Sequence, residues 1–411
     1  MALLHPTQRI LSLIPNYVER FHCIGPACSD TCCAGWNVVI DKKTFNAYRQ
    51  VNLPDLKPRM KSRLHRMRQQ SSDANYGKID LDPETQACPF IEEHLCAIQR
   101  DIGADMLSNT CANYPRYNTT IAGITQQGLT LSCPEAARLA LLAGDAFEFT
   151  QAEQVLRTET IDTWTGKFGF TADQVNEARF FALKLIRTPT LELWEKQAVL
   201  GVYCERLEDL IQNKTTTTLS DAIAGMQGVV DSGLITDTLR QMQPDHSLQA
   251  VLFANIWKIK KGGLSQAQKR QMSFMLQGLG VSTESEEISQ EALTDRYRQG
   301  LEKLSRVLET VPHLLENYVA NEMFRELFPF GTTSPVNHYL RLMTRYGVVR
   351  WMLAMRCMAD SALPSPEDLV ETVQVFCKRY QHDSNFAKMI DEAFHKAGWD
   401  QVGKIYRFLR S

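Results

Sequence analysis

The chain has 411 residues, 44% hydrophobic and 22% charged, with a formal net charge of −2. That length exceeds one typical core, so two domains are expected. The near-neutral charge gives no global argument for nucleic acid as a partner, and the ordinary Gly and Pro content excludes a fibrous or low-complexity chain.

Arg9 interrupts the apolar residues at the start, and no apolar segment precedes a small-residue cleavage site, so no signal peptide is expected. No uncharged apolar run reaches the roughly 18 residues of a membrane-spanning helix, so no membrane partner is expected. These readings place the protein in the cytoplasm, where thiols stay reduced. Four thiols then fall within eleven residues, at Cys23, Cys28, Cys32 and Cys33. Residues 36–40 read as a short strand, and Asp41 as the N-cap of a helix over 42–50. Lys57, Arg59, Lys61, Arg63, Arg66 and Arg68 form a basic cluster. Its plain reading is a solvated face, and its functional reading is a docking strip for an acidic partner or a phosphate. Residues 76–82 alternate like a strand. Residues 88–91 and 95–98 read as hairpin arms carrying Cys88 and Cys96. A short helix over 104–110 should end near Cys111, and 119–131 should hold a strand or two. Pro134 and Glu135 open a helix directly after Cys133.

From about residue 150 the apolar spacing becomes helical, over 191–211, 219–231, 246–260, 264–277, 291–328, 336–359 and 366–380. Gly262-Gly263, Pro329-Phe330-Gly331 and Pro364-Ser365-Pro366 mark turns. Met343, Trp351, Met352 and Met355 read as core, as do Cys204, Cys357 and Cys377. The expected fold is mainly α: a small mixed α/β cysteine-rich domain over 1–150, then an all-helical domain over 151–411.

Eight of the eleven cysteines lie in the first third, at Cys23, Cys28, Cys32, Cys33, Cys88, Cys96, Cys111 and Cys133. Clustered thiols in a reducing compartment point to metal binding, and thiolate-only sites suit zinc or iron–sulfur clusters. Cys28-x3-Cys32 fits a zinc pair, while Cys23-x4-Cys28-x3-Cys32 lies nearer a plant-type ferredoxin run. Cys88 and Cys133 each precede a proline, which holds them extended. Neighbours in an extended segment point to opposite sides, so Cys32 and Cys33 should not serve one metal symmetrically. The spacing leaves open two four-thiol sites, or one site plus four structural cysteines.

Phe21-His22-Cys23-Ile24-Gly25-x-x-Cys28-x-Asp30-x-Cys32-Cys33-x-Gly35-Trp36 resembles the opening of the bacterial flagellin lysine N-methylases. The resemblance continues through Cys88-Pro89-Phe90, Leu95-Cys96-x-Ile98-Gln99, Leu107-Ser108-x-Thr110-Cys111-x-x-Tyr114-Pro115-Arg116 and Leu131-Ser132-Cys133-Pro134-Glu135. It extends to Glu316-Asn317-Tyr318-x-x-Asn321-Glu322-x-Phe324 and Leu327-Phe328-Pro329-Phe330. The cysteine segment alone is shared with a wider group of zinc- or iron-chelating proteins. The resemblance implies methyl transfer from S-adenosylmethionine to lysine side chains of flagellin, and a [4Fe–4S] cluster in the cysteine-rich domain. On the residues alone, zinc stays open as the alternative metal.

A lysine nucleophile must lose its proton, and a sulfonium donor favours carboxylates and aromatic faces. Asp30, Tyr114 and Glu135 are the catalytic candidates because they lie within the cysteine motifs. Their plain readings are a turn cap, a packed ring and a helix-terminus acid. Arg116 is the candidate for the donor's carboxylate, against a simple pairing with an acid. No Gly-rich strand-to-helix loop supports a Rossmann-like methyltransferase. Gly35 stands where the third cysteine of a C-x3-C-x2-C radical-enzyme run would be, so polar methyl transfer is the expected route. The competing readings are a non-catalytic zinc- or iron-binding protein and a zinc-stabilised interaction module.

Overall fold

The computed structural model describes residues 4–35, 38–69, 71–93, 95–166, 168–214, 217–258, 264–283, 286–331, 333–381, 384–398 and 401–410. β1 (Thr7–Pro15) runs straight into α1 (Asn16–Glu19). After the first cysteine loop come β2 (Val38–Ile40), α2 (Lys42–Gln50), α3 (Leu56–Arg63), β3 (Leu64–Arg66) and β4 (Gly77–Ile79). β5 (Ile91–Glu92), β6 (Leu95–Cys96), α4 (Ala97–Ile102) and α5 (Asn109–Asn113) carry the middle thiols. β7 (Arg116–Ile121), β8 (Ile124–Leu129), α6 (Pro134–Leu142), β9 (Phe149–Arg157) and β10 (Ile161–Thr163) follow. The remainder is helical: α7 (Ala172–Ile186), α8 (Leu193–Ile211), α9 (Leu219–Ser232), α10 (Leu234–Arg240), α11 (His246–Lys258) and α12 (Gln266–Leu279). Then come α13 (Gln290–Leu308), α14 (Leu314–Arg325), α15 (Pro335–Ala359), α16 (Pro366–Tyr380), α17 (Ser384–Ala397) and α18 (Val402–Leu409). Among the described residues no helix is long and apolar enough to cross a membrane.

The mainly helical fold with a small mixed α/β N-terminal part is as expected. Asp41 caps α2 by accepting from the Thr44 amide at 2.8 Å. Three local expectations shift. Ala97 and Ile98 start a helix instead of closing the second hairpin arm. Cys111 sits inside α5, which Ser108 caps, and not after a helix. The stretch 291–328 divides into α13 and α14, because Pro312 cannot continue a helix. Trp36 and Asn37, and the Gly262-Gly263 turn, lie outside the described residues.

The main sheet has the order β10-β7-β8-β1-β9. β1 pairs antiparallel with β9 along all nine residues, from Thr7↔Arg157 to Pro15↔Phe149. A smaller sheet has the order β2-β4-β3. Two apolar cores result. The large one takes Ile14, Tyr17, Leu129, Leu131, Cys133 and the buried side of α6 together with the helices from α7 to α18. The small one contains Val38, Ile40, Phe45, Tyr48, Leu56, Met60, Leu64, Ile79 and Phe90. α15 is the axis of the large core; Met343, Trp351, Met352 and Met355 are buried in it, as are Cys204, Cys357 and Cys377.

Candidate thiol-lined site

The two cores divide the eight N-terminal thiols. Cys88 is buried in the small core, and Cys33, Cys96 and Cys111 pack against it. Cys133 belongs to the large core, as the residue immediately before α6. Cys23, Cys28 and Cys32 belong to neither core; Cys23 and Cys32 are exposed and Cys28 is half-buried, on the loop that runs along the seam from one core to the other. All eight are free thiols.

Local backbone chemistry sets this division. Gly25–Ala27 forms a 3-10 turn, and the Cys28 amide donates to the Gly25 carbonyl at 3.1 Å. Asp30 accepts from the Thr31 amide, and Thr31 Oγ1 accepts from the Cys33 amide. The Cys88 amide donates to the Cys33 carbonyl at 2.6 Å, and the Gly35 amide donates to the Gln86 carbonyl. Gly35 has φ +80°, a conformation that favours glycine. These bonds draw Cys33 toward Cys88 and leave Cys32 on the seam. The two sulfurs are 3.8 Å apart.

Cys32 is the hub of the group. The hydrogen bond with Cys33 lowers its pKa to about 7, and the charge on Lys378 acts in the same direction. Cys33 is correspondingly raised by that bond and by burial. Burial pushes Cys88 up to about 11, and Cys111 and Cys133 up to about 12. Beyond burial, charge on Cys32 raises Cys28, Cys33, Cys88, Cys96, Cys111 and Cys133, so one thiolate reaches both sets. Cys133 shows burial overcoming the helix N-terminus, which alone would favour a thiolate.

The other candidates separate clearly. Asp30 Oδ2 accepts from Lys378 Nζ at 2.7 Å and from Gln374 Nε2 at 3.2 Å. The half-buried Tyr114 has its hydroxyl 3.0 Å from Ser132 Oγ, and burial raises its pKa, followed by charge on Cys133 and Cys32. Glu135 is engaged by Arg138 through both carboxylate oxygens, at 2.7 and 2.8 Å. Arg116 is half-buried over the Phe21 ring at 5.1 Å and has no carboxylate partner among the described residues. Burial lowers its pKa, while Cys23 and Cys133 raise it. Asp30, Tyr114 and Arg116 therefore share the seam with Cys32 and Cys133, while the buried Glu135 carboxylate is taken up by the more exposed Arg138.

Three residues escaped sequence reasoning. Gln374, Lys378 and Gln381 project from one side of α16 and its end, at i, i+4 and i+7. Gln374 also donates to the Ser132 carbonyl at 2.7 Å, and Gln381 accepts from Thr130 and donates to Glu322. The available signal was polar residues recurring at helical spacing on the buried side of α16. The α14 polar residues act similarly. Asn317 donates to the carbonyls of Ala140 and Ala143, and Asn321 accepts from the Tyr17 hydroxyl.

Fold and site together define a helical protein whose thiol group is clamped between a small α/β core and a large helical one. The FliB lysine N-methylase C-terminal domain model matches residues 179–408, more than half of the chain. The chain belongs to that lysine N-methylase family. It is 24% identical over 381 residues to a lysine-N-methylase of Salmonella typhimurium, covering 91% of this chain and 92% of that protein. A lysine-N-methylase of Salmonella choleraesuis matches at the same identity and coverage. The flagellar biosynthetic protein FliU of Salmonella muenchen is 31% identical over 144 residues, which are 35% of this chain and 84% of that protein. No solved structure matches.

Proposed function

We propose that this chain is a protein lysine methyltransferase that moves methyl groups from S-adenosylmethionine to flagellin, with a [4Fe–4S] cluster on its seam thiols. Family membership supports methyl transfer to lysine, and the flagellar relative supports the substrate. The observation that carries the site is that Cys23, Cys28, Cys32 and Cys133 lie near enough to act on one another, with Cys23 and Cys133 also acting on Arg116, which has no carboxylate partner among the described residues.

The donor set fits a cluster. All the grouped ligand candidates are thiols, and Cys32 is close to its thiolate form at neutral pH. Four thiolates are the usual ligand set of such a cluster. When bound, such a cluster supplies an electron-transfer centre or a Lewis-acidic iron. The small-core thiols, Cys33, Cys88, Cys96 and Cys111, are read as a packed set that supports the seam.

Arg116 would hold the donor's carboxylate, because a half-buried guanidinium without an acid is ready for one. Phe21 beneath it covers one face of the guanidinium. Tyr114 would orient the incoming amine through its hydroxyl, which Ser132 already fixes. Asp30 is paired to a lysine, and its role is to hold charge beside the thiols. The helical part would bind flagellin.

The test is anaerobic purification with iron and sulfide analysis, then incubation with labelled methyl donor and unmethylated flagellin. Labelled methyl-lysine is expected. Its absence with an intact cluster and folded substrate would sink the reading. Cys28→Ser should lose iron and Cys96→Ser should keep it; the reverse pattern moves the cluster to the small-core set.

A further inference from the structure

A buried lysine bridges the family domain and the thiol loop. The Lys378 side chain is 2% exposed. Its ammonium donates to Asp30 Oδ2 at 2.7 Å and to the Thr31 carbonyl at 2.7 Å. Its stem runs beside Gly35, where an added Cβ would stand 3.6 Å from Lys378 Cε. Gln374, one turn earlier on α16, holds both Asp30 and the Ser132 carbonyl beside Cys133. One helix face therefore grips the two chain segments that carry Cys32 and Cys133.

Burying an ammonium costs several kcal/mol unless it is paired and hydrogen-bonded. A leucine or methionine here would fill the same space on α16 without that cost. The side chain here is a lysine, and its ammonium sits on the Asp30 carboxylate and on the carbonyl of Thr31, the residue directly before Cys32. A fixed positive charge beside a metal–thiolate group favours the more negative, reduced state of that group, and a fixed carboxylate favours the oxidised state.

We propose that Lys378 is a positioning residue for the thiol centre, whose ammonium anchors the Asp30–Cys32 turn to α16 and, opposed by Asp30, sets the centre's reduction potential. The proposal rests on the cluster reading above. It assigns the family's helical domain a direct electrostatic hold on the N-terminal site, across 346 residues of sequence (378 − 32).

The test uses the anaerobically purified holo protein as wild type, Lys378→Met, Lys378→Arg and Asp30→Asn. Iron per chain, midpoint potential and hydrogen exchange of residues 28–33 are measured on each. Lys378→Met should move the potential negative and speed exchange, and Lys378→Arg should restore both toward wild type. Asp30→Asn should move the potential positive while also speeding exchange. The opposite signs are the signature, because a purely structural clasp would shift both variants the same way. If Lys378→Met loses its iron, recovery by Lys378→Arg supports the anchoring, and Asp30→Asn still gives the sign. An unchanged potential in an iron-replete Lys378→Met, or a common direction in both variants, overturns the proposal. Wild-type protein without iron overturns the cluster reading and the potential-setting role with it. In that case unchanged exchange in Lys378→Met would also remove the anchor.

Discussion

Glu159 shows how single side chains hold the small core to the main sheet. Its carboxylate accepts from Lys43 on α2 and from Asn109 on α5, and it contacts His5 beside β1. The hydrogen bond from Lys43, then that from Asn109, lowers its pKa from 4.5 to about 2. A carboxylate depressed in the folded state stabilises above its unfolded pKa. That contribution is therefore present above about pH 4.5 and is lost as pH falls toward about 2. Glu159→Gln should cost up to about 1 kcal/mol at pH 7, since the site is partly exposed. Urea unfolding at several pH values should show the gap to wild type closing across that window. A constant gap would mean that shape, and not charge, is what Glu159 supplies. At this scale the cysteine motif was legible because its turn bonds are local. Lys378 was not, because nothing near it in the chain reveals the carboxylate it meets. Arg116 was legible as a candidate, but that it meets no acid among the described residues emerged only from packing.

At the scale of elements, glycines let α12 and α13 press onto α15. A Cβ on Gly278 would come within 2.2 Å of the Met355 carbonyl oxygen, and one on Gly300 within 2.5 Å of the Ala354 carbonyl oxygen. Backbone cannot yield as a flexible side chain can. Gly300→Ala should therefore destabilise by about 1–3 kcal/mol from overpacking, reduced by about 1 kcal/mol of helix propensity. Gly228→Ala in α9 is the control, because nothing lies within 4 Å of its Cβ position. It should stabilise by about 0.5–1 kcal/mol. Thermal unfolding of both variants checks the pair, and a stabilised Gly300→Ala would show that the helices can separate without cost. The long helices were legible from their apolar spacing, but β1 and β9 were not. Gln151, Ala152, Glu153, Gln154 and Leu156 are good helix formers placed in an edge strand, where pairing with β1 overrides propensity. α7 was missed too, although Thr171 and Gln174 form a full capping box at its start.

At the scale of the molecule, the two expected domains interlock across residue 150. β1 needs β9, seven of whose nine residues lie beyond that boundary. Ile14, Tyr17, Leu129, Leu131, Ala136, Ala137, Ala140 and Leu141 are buried in the core that the later helices complete. Asn317 satisfies two carbonyls at the end of α6, and Gln374 and Lys378 close the cysteine loop. A fragment of residues 1–150 would expose that apolar surface and leave those carbonyls without their buried donors, each worth about 1–3 kcal/mol. The small core alone encloses a dozen buried apolar side chains, from Val38 to Ile98, too few for a stable unit without further support. We therefore expect fragment 1–150 to aggregate or to unfold without a cooperative transition, and to bind iron poorly. Extending it to residue 165 restores β9 and β10 but not α14 or α16, so cooperativity should still be absent. The full chain should unfold with the β1–β9 sheet and α15 together, giving coincident transitions by far-ultraviolet dichroism and tryptophan fluorescence. A sharp unfolding transition in fragment 1–150, with iron bound at the full chain's level, would instead make the cysteine-rich part an autonomous domain.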